Sequence, residues 1–116
     1  DKLAVNAFST QALDGDKKAA LAFTGKDNNL LALANTFAGE EFTEVDLDAL
    51  DACAEFINCI NGMFATKKSG TLNVDMLPPV YKAEASELKG NLVVIPLYVN
   101  GQTIELISTF GEFINY

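Results

Sequence analysis

The chain has 116 residues, 49% of them apolar, and a formal net charge of −8; this length suits one domain around one core. The acidic balance argues against nucleic acid and anionic membrane as partners and favours a basic protein surface. There is no His and no Trp, and every cation is a lysine, so His-based triads and His-containing zinc sites are excluded within the chain.

No glycine-rich phosphate loop occurs, and no apolar run approaches the length of a membrane span. Half of the 16 acids lie between residues 27 and 55, which concentrates the negative field in one part of the chain.

Residues 2–13 read as a strand, because Leu3, Val5 and Ala7 alternate with more polar positions; the alternation loses regularity after Phe8. Asp14-Gly15-Asp16 is a turn signal. Residues 18–24 return as the second strand of a hairpin, with Leu21 and Phe23 on one face. Gly25 ends it, and Asp27 is placed to cap the next element. Residues 28–38 carry Leu30, Leu31, Leu33, Ala34 and Phe37 at helical spacing, and Gly39 is a natural stop. Asn35 lies in that helix with no Glu three residues before it.

The rest of the chain is organised around residues 43–64, TEVDLDALDACAEFINCINGMF. The spacing predicts one helix, with Thr43 as N-cap and Asp46 completing a variant capping box. Glu44, Asp46 and Asp48 fall in the first turns, where the helix dipole favours negative charge. Leu50, Cys53, Ala54, Ile57, Ile60 and Phe64 form one apolar stripe. Val45, Ala49, Ala52, Phe56, Cys59 and Met63 form the next. Together they cover about 220° of the surface, so the helix is expected between layers. Cys53 and Cys59 stand about 120° and 9 Å apart on such a helix, beyond the reach of a disulfide. Both are expected as small core residues in a reducing, cytoplasmic compartment.

What remains is a thin polar line of Asp48, Asp51, Glu55, Asn58 and Gly62. The last four are spaced i, i+4, i+7 and i+11, so they stack on one face. Asn is a weak helix former, and Gly costs about 1 kcal/mol relative to Ala. The Asp51 and Glu55 carboxylates repel slightly, and no lysine occurs between residues 27 and 66 to offset this. A solvated face accounts for the spacing by itself. The functional alternative is a strip that presents a carboxylate and an amide to a partner.

Residues 65–70 form a polar connector, with Lys67 and Lys68 complementing the helix dipole. Residues 71–77 alternate Leu72, Val74 and Met76 as a strand, and Pro78-Pro79 stops it. Residues 81–90 read as a polar loop or edge segment. Residues 91–99 and 102–110 form a hairpin on Asn100-Gly101 with a type I′ turn. That loop pairs Leu97 with Ile104 and Ile95 with Leu106 on the core side. Pro96, lacking an N–H, marks an edge strand or a bulge. Phe110, Phe113, Ile114 and Tyr116 leave an apolar tail for the core or for a neighbouring subunit. The order strand, strand, helix, helix, strand, strand, strand predicts an α/β (α+β) two-layer domain with a mainly antiparallel sheet.

The run Asp51-Ala-Cys-Ala-Glu55-Phe-Ile-Asn58, followed by Cys59-Ile-Asn61-Gly62 and later by Leu77-Pro78-Pro79-Val80, resembles the helix motif of the CheC/CheX chemotaxis phosphatases. That motif is Asp or Ser, three residues, Glu, two residues, Asn, and a Pro further on. LLALANTFAGEEF resembles the family's preceding helix and acidic turn, and IPLYVNGQTIELISTF its closing hairpin. A single Glu-x-x-Asn motif places the chain nearer the CheX-like branch than the two-site CheC proteins.

The resemblance implies a single CheX-like domain over residues 1–116, N-terminally shortened or part of a longer protein. It also implies hydrolysis of the aspartyl phosphate of a CheY-like receiver domain. Glu55 would bind a receiver lysine and Asn58 would orient the attacking water, as the catalytic pair. Asp51, Asn61, Gly62 and Pro79 would support the site or meet the partner, Asp51 either bonding locally or facing it. The chain would need no cofactor of its own, since Mg²⁺ is expected on the receiver. A homodimer is also implied. The composition suits this chemistry. An acyl phosphate is already activated, so positioning dominates, and Asn adds hydrogen bonds without negative charge. Two other functions fit the same strip: a receiver-binding module without turnover, and a divalent-metal site at Asp48, Asp51 and Glu55. Three carboxylates on a straight helix diverge too far to close a coordination sphere alone.

Overall fold

The computed structural model describes residues 1–68 and 74–116, and only the backbone of residues 64–68. The predicted strand positions 71–73, the last two residues of the connector expected at 65–70, and the roles of Lys67 and Lys68 fall outside the described residues; residues 65–68 are not connector but the last turn of a helix. The chain opens with β1 (Lys2–Val5), β2 (Phe8–Gly15) and β3 (Ala19–Thr24). The expected first strand is therefore two, split at Asn6-Ala7, where its alternation loses regularity. β1 leaves the main sheet and pairs antiparallel with β6 (Ser86–Lys89).

Helix α1 (Asp27–Ala38) ends at Gly39, whose φ of 67° is left-handed, a conformation that costs glycine little. Asp27 lies in the first turn, and Lys26 holds the N-cap position without a side-chain cap. Helix α2 spans Leu47–Lys68 and so starts later than its sequence pattern suggests. The cap is Asp46, not Thr43: the Ala49 N–H donates to Asp46 Oδ1 at 2.9 Å and the Leu50 N–H to the Asp46 carbonyl at 3.1 Å. A carboxylate at that position satisfies an orphan N–H and complements the dipole together.

Strands β4 (Val74–Met76), β5 (Val80–Lys82), β7 (Val93–Val99) and β8 (Gln102–Phe110) complete the main sheet. Its order is β4-β2-β3-β8-β7, with β5 also on β2, and every recorded pairing is antiparallel. The last hairpin has the expected register, Leu97 opposite Ile104 and Ile95 opposite Leu106, but Ile95, expected on the core side, is exposed on the edge strand. Asn100 and Gly101 both have positive φ, 49° and 78°, as a type I′ turn requires. Pro96 lies on β7, the outermost strand. β5 and β6 arise from a stretch expected as a polar loop or edge segment, and they are short strands there.

α1 and α2 lie side by side on one face of the main sheet. Phe23, Leu30, Leu33, Leu50, Cys53, Ile57 and Ile104 close the core between them. The opposite face carries the β1–β6 ribbon and the C-terminal residues, through Val5, Phe8, Leu88, Ile107 and Ile114. The apolar tail thus divides: Ile114 is buried, while Phe110 stands 72% exposed. The outer face of α2 is open, which corrects the expectation of a helix enclosed between layers. Cys59 is exposed and Met63 is 64% exposed. Cys53 alone is a core thiol, and burial pushes its pKa up to about 12. No helix among the described residues is long and apolar enough to cross a membrane.

Candidate functional site

The polar line of α2 lies where its spacing puts it. Asp48, Asp51 and Glu55 are exposed, and Asn58 is half-buried at the inner edge of the line. Among the described residues, none of these carboxylates forms an ion pair, and no group of acids or thiols is arranged to hold a metal ion. Their charge is available to solvent or to a basic partner. They border an open groove of about 450 Å³ between α2 and the end of α1, lined also by Phe37, Phe42 and Glu40. The groove has an aromatic support. Phe37 stacks on Phe56 at 4.9 Å, and Phe56 on Phe23 at 5.6 Å, so a column of rings runs down to the sheet.

Asp51 both faces out and has a local partner. It lies beside the phenol of Tyr81 on β5, close enough for hydrogen bonding to favour the neutral phenol. That hydrogen bonding, then the Asp51 charge, burial, and the charges of Asp48 and Glu55 hold the phenol's pKa above a tyrosine's ordinary 10.0. Each favours the neutral donor over a phenolate among carboxylates.

Asn58 is tied to the sheet through Gln11 of β2. Gln11 Nε2 donates to Asn58 Oδ1 at 2.8 Å and to the Leu77 carbonyl at 2.9 Å, and Gln11 Oε1 accepts from Asn61 Nδ2 at 3.0 Å. Gln11 and Asn61 are each 2% exposed, so Asn61 spends its side chain inward. Two residues earlier, on the same face, Ser9 Oγ donates to the Leu50 carbonyl at 2.6 Å. Two polar side chains of β2 therefore bolt α2 down, where a purely apolar strand would let it slide.

The two prolines explain why Gln11 can reach a carbonyl there. β5 pairs with Phe8–Thr10 of β2 and β4 with Leu13–Gly15. Between them, opposite Gln11 and Ala12, the edge is broken at residues 77–79, because proline has no N–H for the ladder. The Leu77 N–H still bonds to the Ala12 carbonyl at 3.0 Å, and the Leu77 carbonyl is freed for the Gln11 side chain. Pro79 thus stands at the edge break beside the strip. Gly62 is half-buried next to β4; a Cβ there would lie 3.9 Å from Met76 Sδ, ordinary contact, so packing against β4 does not itself demand glycine.

Sequence reasoning picked out Asp51, Glu55, Asn58, Asn61, Gly62 and Pro79, and all lie on α2 or at the break beside it. It missed Gln11 and Tyr81. No local pattern singled out Gln11, because β2 mixes Ser9, Thr10, Gln11 and Asp14 with its apolar residues.

Fold and strip together define an α+β domain of the CheC/CheX type. The family described as "Chemotaxis phosphatase CheX" matches residues 8–97, more than half of the chain, and the chain belongs to that family. Solved structures share the fold at low identity. The CheX–CheY–BeF3–Mg²⁺ complex from Borrelia burgdorferi matches with 18% identity and a TM-score of 0.72, over 92% of this chain and 77% of that one. A CheX from Desulfovibrio desulfuricans matches with 16% identity and a TM-score of 0.71, over 94% and 77%. A CheC-like protein from Shewanella oneidensis matches with 16% identity and a TM-score of 0.73, over 93% and 75%. No curated protein matches the chain.

Proposed function

We propose that the chain hydrolyses the aspartyl phosphate of a CheY-like receiver domain, in chemotaxis or related two-component signalling in the cytoplasm. The observation that carries this is the pairing of an exposed Glu55 with a half-buried, anchored Asn58, one turn apart on the open face of α2. Glu55 docks a receiver lysine, and the unpaired carboxylates around it steer the basic partner in. Asn58 reaches the phosphoryl group and orients water for in-line attack. The water oxygen bonds to phosphorus, the bond from phosphorus to the aspartyl oxygen breaks, and its electron pair returns to the carboxylate. Both protons of the water leave with inorganic phosphate, as H2PO4⁻. Positioning of this kind suffices for an activated acyl phosphate. Mg²⁺ belongs to the receiver; in the Borrelia complex, CheX is bound with CheY, Mg²⁺ and BeF3, a phosphoryl mimic.

The decay of a phosphorylated receiver from the same genome, with and without the protein, tests this. Faster decay that disappears in Asn58→Ala is the expected result. Binding of the phosphorylated receiver without acceleration would instead make the chain a docking module. A homodimer belongs to the same proposal, with support from the open edge of β7, where Val93, Val94 and Ile95 are 46%, 45% and 41% exposed. Light scattering should give twice the 12.5 kDa chain mass; a monomer at assay concentration would remove the dimer from the proposal.

A further inference from the structure

The amide ends of Asn58 are not interchangeable, and the network around Gln11 determines which of them meets the partner. The Leu77 carbonyl can only accept, so the Gln11 atom 2.9 Å from it must be the NH2 nitrogen. That nitrogen has one proton left, directed at Asn58 over 2.8 Å, so the Asn58 atom there must be its oxygen. The Gln11 oxygen is then the acceptor for Asn61 at 3.0 Å. A single backbone carbonyl, placed by the proline break, thus fixes three side-chain amides in sequence. The Asn58 NH2 has no partner among the described residues. No buried side-chain nitrogen or oxygen there lacks a partner, so this NH2 reaches solvent.

We propose that Gln11 is a positioning residue for Asn58, clamping its oxygen inward so that α2 offers the receiver an NH2 donor. This rests on the phosphatase proposal for Asn58 and specifies which of its atoms acts. The NH2 donates to the oxygen of the attacking water and holds it in place, leaving a lone pair free for phosphorus. An inverted amide would offer only an acceptor, which would draw the water through its proton instead.

The test uses the full chain with a phosphorylated CheY-like receiver, and the variants Gln11→Glu and Gln11→Met. A glutamate carboxylate accepts but cannot donate, so Asn58 turns its NH2 inward. kcat is expected to fall at least about tenfold while KM stays within about twofold, because the Glu55 contact is untouched. Gln11→Met fills the space without a clamp and should give a kcat between the two. Wild-type kcat in both folded variants would overturn the proposal. A second measurement needs neither activity nor a variant. In the isotope-labelled wild type, side-chain amide protons of Gln11 should exchange with water slowly and those of Asn58 fast. Equal rates, or the reverse order, would overturn the clamp even if the phosphatase is real. If the wild type fails to accelerate decay, the phosphatase proposal falls and the exchange rates still decide the orientation of Asn58.

Discussion

Two asparagines, one on each helix, show how the same side chain serves two ends. Asn35 on α1 closes on the backbone of Phe42: its Oδ1 accepts from the Phe42 N–H at 2.7 Å, and its Nδ2 donates to the Phe42 carbonyl at 3.2 Å. Both ends are used, and the amide staples the loop that leaves α1. Asn58 on α2 uses only its oxygen, on Gln11 at 2.8 Å. Its clamp comes from another side chain, which is itself buried and fully bonded. A side chain that is closed at both ends stabilises; one that is anchored at one end and open at the other keeps hydrogen-bonding capacity in reserve. The Glu-x-x-Asn spacing separates the two in sequence, and the bonding explains the separation physically.

The largest effect that could break the comparison is a pair of truncations. Asn58→Ala should lower kcat roughly a hundredfold, as loss of a preorganised hydrogen-bonding group does, and cost about 1–2 kcal/mol, because the buried Gln11 N–H loses its acceptor. Asn35→Ala should cost about the same 1–2 kcal/mol for two lost backbone bonds but leave receiver turnover unchanged. Denaturant unfolding beside the phosphate-decay assay reads both; an active Asn58→Ala or an inactive, folded Asn35→Ala would erase the distinction. Asn58→Asp sharpens it further. The carboxylate still accepts from Gln11, so the fold should hold, but the outward donor becomes a negative acceptor beside phosphate, and activity should fall as far as in the alanine variant.

Smaller effects probe the two faces of α2. Asp46→Ala removes the N-cap and should cost about 1 kcal/mol, visible in thermal unfolding; Thr43→Ala, by contrast, should leave the unfolding curve unchanged. Of the two thiols, exposed Cys59 should label at once. Cys53, 1% exposed and with its pKa at about 12, should label only on unfolding. Equal labelling rates would mean that the inner face of α2 opens in the native state.

What the sequence made legible follows from the length of the signal. α1, most of α2 and the hairpin register come from periodicities sustained over many residues, and the I′ turn from a dipeptide with few alternatives. β5 and β6 have 3 and 4 residues, too few for alternation to register, and their order comes from partners distant in the chain. The N-cap was displaced because Thr43 and Asp46 are both good caps, and only the path of the loop chooses between them. Glu55 and Asn58 were legible because a spacing of three residues puts them on one helix face. Gln11 was not: it lies 47 positions from Asn58, and a glutamine in a strand has no periodicity to betray it. The proline break was visible, but its purpose was not, since a freed carbonyl acquires meaning only when Gln11 is placed opposite.

Tyr81, the other missed residue, offers the finest test. It does for Asp51 what Gln11 does for Asn58, reaching from the sheet toward one residue of the strip, but from a half-buried position. Its proton is held more tightly in the folded chain, first by hydrogen bonding to Asp51 and then by that residue's charge. The sign follows: a group with a raised folded pKa stabilises fully below its unfolded value and loses that contribution as pH rises through the folded one. Ionisation of Tyr81 therefore leaves the Tyr81–Asp51 contact undisturbed through the neutral range and removes the phenolic donor in alkali. Ultraviolet titration, with Tyr81→Phe subtracted to isolate it from Tyr98 and Tyr116, should show ionisation above 10.0. Asp51→Asn should bring it back toward that value, because the two leading causes leave with the carboxylate. A Tyr81 that titrates identically with and without Asp51 would mean that the strip is anchored at Asn58 alone.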